Sequence, residues 1–190
     1  MKCKPAVSYL LMCLLFLSFQ LSAATSKTIA TKLTCEYLTN PLGIDAISPR
    51  LSWQVSSTEN NLLQSAYEIR VATDLKLLEK ANLWASTKIE SAQSINIPYQ
   101  GKTLTSGQKA YWQVRVWTSD GKKTEWSAPA SFETGLLQTS DWKARWITLA
   151  EERSQKKSKP AQYFRKEFGI TKTVKNARIY ITSLGLYQLY

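Results

Sequence analysis

The residues that could carry out catalysis in this 190-residue sequence are few. The sequence contains no histidine, so it can build neither a Ser-His or Cys-His nucleophile pair nor an imidazole zinc site. Its seven glycines form no phosphate-binding loop. A pair of carboxylates could act as acid and base, but the adjacent Glu151 and Glu152 stand in a polar stretch typical of solvated surface. We therefore assign no catalytic, cofactor-binding or metal-binding residue, expect no cofactor, and leave substrate-binding residues unassigned.

Tryptophan is the residue type that stands out. Indole rings can stack on the apolar faces of sugar rings, or they can fill a core, because each ring buries a large apolar area. Trp53 and Trp112 fall at inward positions of predicted strands, which favours core packing. Arg115 is predicted to stack between Trp117 and Trp126 as a cation–π rung, which is also a structural arrangement. The seven tryptophans are Trp53, Trp84, Trp112, Trp117, Trp126, Trp142 and Trp146.

The first residues have the pattern of a signal peptide. Lys2 and Lys4 form a basic start, an apolar run covers residues 9–19, and Ser22-Ala23-Ala24 places small residues at a cleavage site. The apolar run is shorter than the about 20 residues that span a bilayer, which disfavours an uncleaved anchor. We predict a signal peptide at residues 1–24 and an exported protein, whether periplasmic, cell-surface or extracellular.

Cleavage after Ala24 would change the cysteine count and the charge. Of three cysteines only Cys35 would remain, which excludes an intramolecular disulfide and predicts a small buried hydrophobe. The formal charge of +11 would fall to +9, because Lys2 and Lys4 are removed. The basic residues are scattered, so the footprint of a nucleic-acid binder is missing. Anionic polysaccharide, a membrane surface, or solubility alone would each fit this charge.

Short apolar runs separated by turn residues predict an all-β domain over residues 33–137. Tyr67, Ile69 and Val71 are expected on one face of their strand, and the residues between them on the other. Residues 75–82 predict a single helical turn or a loop. Seven strands suit a fibronectin type III-like, immunoglobulin-like β-sandwich. They are predicted at residues 33–38, 50–55, 66–73, 85–90, 94–99, 110–118 and 131–134.

A change in composition follows the predicted sandwich. Residues 138–162 read as a connector and a polar linker, with the most polar part at 150–161. Residues 163–168 and 177–182 resume the β pattern, and 163–190 predict the first strands of a second β-sandwich. Two or three strands cannot bury a sandwich core, so we expect the natural chain to continue past Tyr190.

Three stretches resemble, in order and spacing, the N-terminal region of secreted bacterial α-L-rhamnosidases of the multidomain, inverting type. The first stretch is LTCEYL with NPLGID and PRLSW at residues 33–53. The second is YWQVRVW with WS and FETGLL at residues 111–137. The third is WKARWI, FRKEF, ARIYIT and LGLY at residues 142–187.

This resemblance implies an accessory fibronectin-like domain followed by a jelly-roll-like domain truncated at residue 190. In such enzymes the catalytic carboxylates lie in a helical barrel much further along, so the resemblance implies no catalytic residue in these positions. The full-length enzyme would hydrolyse terminal non-reducing α-L-rhamnose from glycosides or plant polysaccharides. Its implied partners are the downstream domains and rhamnose-containing glycans, with neither nucleic acid nor a membrane span after signal cleavage.

Two alternatives belong to other functional classes. One is a stand-alone carbohydrate-binding or adhesion module of fibronectin type III type, which would use exposed tryptophans. The other is a receptor-like ectodomain, since this fold does not fix function. That second alternative would need a membrane anchor after the signal peptide.

Overall fold

The structure is a computed structural model that describes residues 28–148 and 161–190. The predicted signal peptide at 1–24, Glu151 and Glu152, and most of the polar linker lie outside the described residues. Over the described part of the chain, no helix is long and apolar enough to cross a membrane.

The described residues are almost entirely β-structure and irregular backbone. A 3-10 helical turn covers Leu75–Leu77, as the sequence predicts, and a second covers Thr139–Asp141. The strands are β1 (Ile29–Cys35), β2 (Arg50–Ser56), β3 (Gln64–Ala72), β4 (Trp84–Ala85), β5 (Ile89–Glu90), β6 (Ile97–Pro98), β7 (Lys109–Thr118) and β8 (Ala130–Glu133).

Two antiparallel sheets form the sandwich. The smaller sheet has the order β1-β2-β6, and the larger has the order β4-β3-β7-β8 with β5 also paired to β3. The β3–β7 pair is the longest ladder and runs from Gln64 opposite Thr118 to Ala72 opposite Tyr111. The architecture is the all-β, immunoglobulin-like sandwich predicted from the sequence.

The core between the sheets follows from strand alternation. Ile69 and Val71 of β3 and Trp112, Val114 and Val116 of β7 are fully buried, because alternate side chains point to the same face. Trp53 from the opposite sheet meets the ring of Tyr67 edge-on, with centroids 5.1 Å apart. The predicted inward faces of both strands are therefore confirmed.

Three predicted strands differ most from the structure in their limits, while the other four differ by one or two residues at an end. The first begins at Ile29, earlier than predicted, and ends at Cys35, because Glu36 and Tyr37 adopt positive φ. The predicted strand 85–90 is divided into β4 and β5, with Thr87 at φ 56° between them. The predicted strand 94–99 shortens to Ile97–Pro98, after Asn96 at φ 57°. At each of these positions the positive φ takes the backbone out of the extended region, so the strand ends or is interrupted.

Residues 161–190 differ from the prediction more strongly. The structure assigns no strand to residues 163–168 or 177–182, and this described segment is almost wholly exposed. A strand needs a neighbour to accept and donate its backbone hydrogen bonds, and these residues have no strand beside them in the described part of the chain. The second sandwich therefore stays a prediction.

Candidate functional site

The outer face of the larger sheet carries a row of cationic and aromatic side chains, here called the cation–π stack. The guanidinium carbon of Arg115 lies 4.4 Å from the ring centroid of Trp126 and 5.6 Å from that of Trp117. The guanidinium carbon of Arg70 lies 4.1 Å from the Trp126 centroid. Lys88 Nζ lies 5.1 Å from the Trp117 centroid. The predicted position of Arg115 between two indoles is confirmed. The stack consists of Lys88, Trp117, Arg115, Trp126 and Arg70.

Trp126 reaches this face because the chain after β7 folds back along the edge of that strand. The backbone N–H of Thr124 donates to Val116 O, and that of Ser127 donates to Val114 O, both at 2.9 Å. In return, the hydroxyls of Thr124 and Ser127 accept from the N–H groups of Val116 and Val114, at 3.1 and 3.2 Å. Two reciprocal pairs of hydrogen bonds hold Trp126 against the sheet.

The cations of the stack are also held by polar partners. Arg115 Nη2 lies 2.7 Å from Glu68 Oε2, across the β3–β7 ladder, and both side chains are partly buried. Arg70 Nη2 donates to Gln113 Oε1 at 2.7 Å, and Gln113 Nε2 donates to Ser127 O at 2.6 Å. Partial burial lowers the pKa of Arg70 from its usual value, although guanidinium stays charged in proteins.

This geometry favours a structural role for the stack over sugar binding. A sugar would stack on Trp126 through the π surface that two guanidinium groups already contact at 4.1 and 4.4 Å. Opening that surface would break the Arg70 and Arg115 contacts together. We interpret the stack as a brace on the outside of the larger sheet.

The remaining tryptophans divide into buried and exposed groups. Trp53, Trp84 and Trp112 are in the core, which confirms the prediction for Trp53 and Trp112. Trp142 and Trp146 lie on the connector and are 39% and 68% exposed. Trp142 and Trp146 are therefore the tryptophans most open to a ligand, and strand patterning did not single them out.

One shallow depression of about 220 Å³ lies beside the turn after β7. Lys122 is paired with two of the acidic groups that line it, since its Nζ lies 2.9 Å from Asp120 Oδ2 and 3.9 Å from Glu59 Oε1. Thr118 donates to Asp120 Oδ1 at 2.5 Å and, with Lys122, lowers the pKa of Asp120 to about 2. A carboxylate stabilised in its ionised form is poorly suited to act as a general acid.

Metal and thiol chemistry find no support in the described residues. Within residues 28–148 and 161–190, no group of acidic, cysteine and histidine side chains could hold a metal ion. Cys35 is buried, as predicted, and burial, followed by the charge of Glu36, raises the pKa of its thiol to about 12. A thiol with that pKa stays protonated near neutral pH, so it is a packing residue.

The salt bridge between Arg178 and Glu133 could not be predicted from the sequence. Arg178 Nη2 lies 2.5 Å from Glu133 Oε2, although 45 residues separate the two side chains. Glu133 falls within a predicted strand and Arg178 within a run of β character. Local periodicity carries no information about a pairing over this distance.

A family model supports the fold described above. The model for the Rha78A-like, N-terminal immunoglobulin domain matches residues 30–138. This range begins one residue after β1 starts and ends beside the second 3-10 turn.

Curated relatives extend this similarity beyond the sandwich. An α-L-rhamnosidase of Formosa agariphila is 39% identical over 193 aligned residues, covering 96% of this chain and 21% of the relative. An α-L-rhamnosidase of Streptomyces avermitilis is 44% identical over 118 residues, covering 62% of this chain and 12% of the relative. The chain thus spans about a fifth or less of the length of these relatives.

Solved structures give the same result for the sandwich. The crystal structure of Streptomyces avermitilis α-L-rhamnosidase complexed with L-rhamnose matches 64% of this chain and 12% of that chain, with 43% identity and a TM-score of 0.62. The α-L-rhamnosidase from Dictyoglumus thermophilum matches 65% of this chain and 14% of that chain, with 36% identity and a TM-score of 0.62.

Proposed function

This chain belongs to the family of Rha78A-like N-terminal immunoglobulin domains, the accessory N-terminal domains of α-L-rhamnosidases, and from that premise we propose that its enzyme hydrolyses terminal non-reducing α-L-rhamnose from glycosides or plant polysaccharides. The observation that carries this proposal is the family match over residues 30–138, within relatives of which this chain spans only a fifth or less. The part of those relatives that performs catalysis is not covered by this chain.

The role proposed for the chain itself is architectural. The outer face of the larger sheet is braced by the cation–π stack, and Lys122 beside the shallow depression is paired with Asp120. Such a surface suits a domain that supports and positions later domains. In this reading the chain supplies geometry to rhamnoside hydrolysis, while the acid and the base come from elsewhere in the enzyme.

We further propose that residues 163–190 open a second, jelly-roll-like β-sandwich completed by later residues. This segment exposes many large apolar side chains, which a soluble domain normally buries. Tyr163 is 86% exposed and Phe168 is 77% exposed. Strand partners from a continuing chain would cover them and would also satisfy the backbone hydrogen-bonding groups.

Rhamnose release from an aryl α-L-rhamnoside tests the main proposal. Two proteins are compared: residues 25–190, and a longer protein expressed from the same reading frame continued past Tyr190. We expect release by the longer protein and none by residues 25–190. A reading frame that ends at Tyr190, a longer protein without rhamnosidase activity, or turnover by residues 25–190 would each overturn it.

Export through the N-terminal segment is a separate proposal. It rests on the basic, apolar and small-residue pattern of residues 1–24. Expression of the intact sequence in a bacterial host, followed by the intact mass of the exported product, tests it. We expect a product that starts at Thr25, and a product that retains Lys2 would refute the proposal.

Direct glycan binding is the second candidate function, and the exposure of Trp142 and Trp146 favours it. Aromatic rings with a free face can stack on sugars. Titration of residues 25–190 with L-rhamnose and with a rhamnose-bearing polysaccharide should then quench tryptophan fluorescence saturably, and Trp146→Ala should weaken the quenching. Trp117→Ala is the control in the braced stack. A flat titration removes this candidate.

A further inference from the structure

Where the chain leaves the sandwich after β8, polar side chains connect it to the loop before β7. The hydroxyl of Ser106 donates to the Asp141 carboxylate and accepts the N–H of Leu137 at 2.8 Å. The N–H of Gln138 donates to Asp141 Oδ2 at 3.2 Å. The 3-10 turn after β8 is therefore fastened to the loop at Thr105–Gln108, which fixes where the connector starts.

A salt bridge beside these hydrogen bonds joins the end of β8 to a residue much later in the chain. Arg178 Nη2 lies 2.5 Å from Glu133 Oε2, at the end of β8. The Glu133 side chain is only 10% exposed, whereas that of Arg178 is 41% exposed. A buried carboxylate is costly without a cation, and Arg178 is its salt-bridge partner among the described residues.

The backbone of Glu133 is hydrogen-bonded to the loop at residues 41–44. Its N–H donates to Pro41 O, and its carbonyl accepts the N–H of Ile44, both at 3.0 Å. The neighbouring Gly135 has no side chain, and a Cβ there would lie 3.1 Å from Gly43 O. The loop at residues 41–44 is thus packed against the end of β8, where Glu133 lies.

The residues next to Arg178 also approach this place. A Cβ added to Gly107 would lie 3.2 Å from the hydroxyl of Tyr180. Tyr180 is 38% exposed, the lowest value among the exposed large apolar side chains of residues 161–190. The part of the segment around residues 178–180 is therefore where it meets the sandwich.

We propose that Glu133 and the loop Thr105–Gln108 form the docking socket by which the immunoglobulin-like domain holds the following domain, and that its occupant is the stretch 178–180 of the same chain. This inference rests on the proposed function, in which residues 163–190 open that domain. The two fastenings hold the chain at Asp141 and at Arg178, so the socket would set the orientation of everything that follows.

Chymotryptic cleavage of residues 25–190 tests the socket, because cleavage after Tyr180 requires that stretch to leave it. We expect Arg178→Gln and Glu133→Gln each to raise the rate of cleavage after Tyr180 about fivefold, as for loss of a partly buried ion pair. Cleavage after Tyr163 should not change. Arg178→Lys should preserve part of the protection, and the double variant should be no worse than either single one.

Arg165→Gln is the matched control, since Arg165 pairs with Glu167 inside the same segment and that ion pair is exposed. An Arg178→Gln chain that is cleaved after Tyr180 like Arg165→Gln would overturn the proposal. Protection that grows with protein concentration would also overturn it, because the occupant would then be a second copy. Failure of the proposed function would instead appear as absent rhamnose release with protection at Tyr180 intact.

Discussion

The guanidinium carbon of Arg115 lies 4.4 Å from the ring centroid of Trp126, and the same guanidinium pairs with Glu68 on the neighbouring strand. This one side chain therefore ties together β3, β7 and the segment that returns along the edge of β7. The relationship accounts for an arginine at an outward strand position, where a residue with less reach could not connect all three.

Removal of the Arg115 side chain should destabilise the sandwich. Arg115→Ala loses the contact with Trp126 and leaves Glu68 without its partner, so we expect a loss of about 1–3 kcal/mol in the free energy of unfolding. Arg115→Lys should lose less, since it keeps the charge but not the planar stacking. Urea unfolding of residues 25–190, followed by tryptophan fluorescence, measures both. Arg145→Ala, on the exposed connector, is the control, and an equal loss there would contradict the brace.

Gln64 is expected to be a sensitive polar position within the core. Its Oε1 accepts the indole N–H of Trp53 at 2.9 Å, and its Nε2 donates to Ser91 O and Gln93 O at 3.1 and 2.9 Å. Gln64→Leu would leave the buried indole N–H of Trp53 unpaired, which should cost about 1–3 kcal/mol.

The matched control for this substitution is Gln54→Leu, at an exposed position of β2. Chemical denaturation should show a clear loss for Gln64→Leu and little change for Gln54→Leu. Equal stability of the two variants would show that the Gln64 hydrogen bonds contribute little.

Cys35 should be unreactive in the folded protein. Burial raises the pKa of its thiol to about 12, from 9.0, so the thiolate fraction near pH 8 falls about a thousandfold. Reaction of residues 25–190 with Ellman's reagent should therefore be slow in buffer and fast in concentrated urea. Rapid labelling of the native protein would contradict the burial of this residue.

The same shift has a consequence for stability at high pH. The pKa of Cys35 is higher in the folded state than in the unfolded state. The protonated thiol therefore contributes fully to the stability of the fold below about pH 9, and this stabilisation is lost as the pH rises towards 12. Cys35→Ala should remove this part of the alkaline dependence, measured as the unfolding midpoint between pH 8 and 11.

Asp120 should give the opposite dependence, at acid pH. The hydrogen bond from Thr118, followed by Lys122, lowers the pKa of Asp120 to about 2, from 3.8. Its folded pKa is below its unfolded value, so the stabilisation is present above about pH 4 and is lost as the pH falls towards 2.

The stability difference between the parent chain and Asp120→Asn should therefore shrink between pH 4 and pH 2. Thermal unfolding across this range measures the difference. Asp45→Asn, in an exposed loop, is the control. A difference for Asp120→Asn that stays constant with pH would show that the turn, and not the charge, carries the effect.

Strand patterning alone was sufficient for the inward faces of β3 and β7. Side chains alternate with a period of two along each strand, which predicts that Ile69, Val71, Val114 and Val116 lie in the core, where the structure has them. The same rule places Arg115 and Trp117 on one face of β7, whereas Trp126 lies outside the strands, so strand alternation alone does not bring it to Arg115. The short helical turn at Leu75–Leu77 is likewise predicted from neighbouring residues in the sequence.

Strand limits were harder to predict, because they depend on single backbone conformations. Thr87 and Asn96 at positive φ interrupt runs that read as continuous strands. Positive φ is unusual for a β-branched residue such as Thr87, whereas asparagine adopts it more often than most residues, so only the break at Asn96 has a local sequence signal.

Long-range contacts could be decided only by the tertiary structure. The contact of Arg70 with Trp126, the hydrogen bond of Gln64 to Trp53 and the pairing of Glu133 with Arg178 join residues that no local period relates. Residues 177–182 have the β pattern but form no strand here, because a strand exists only with a partner to complete its hydrogen bonds. Sequence periodicity determined which face each strand would bury, and the pairing of distant segments determined what those faces hold together.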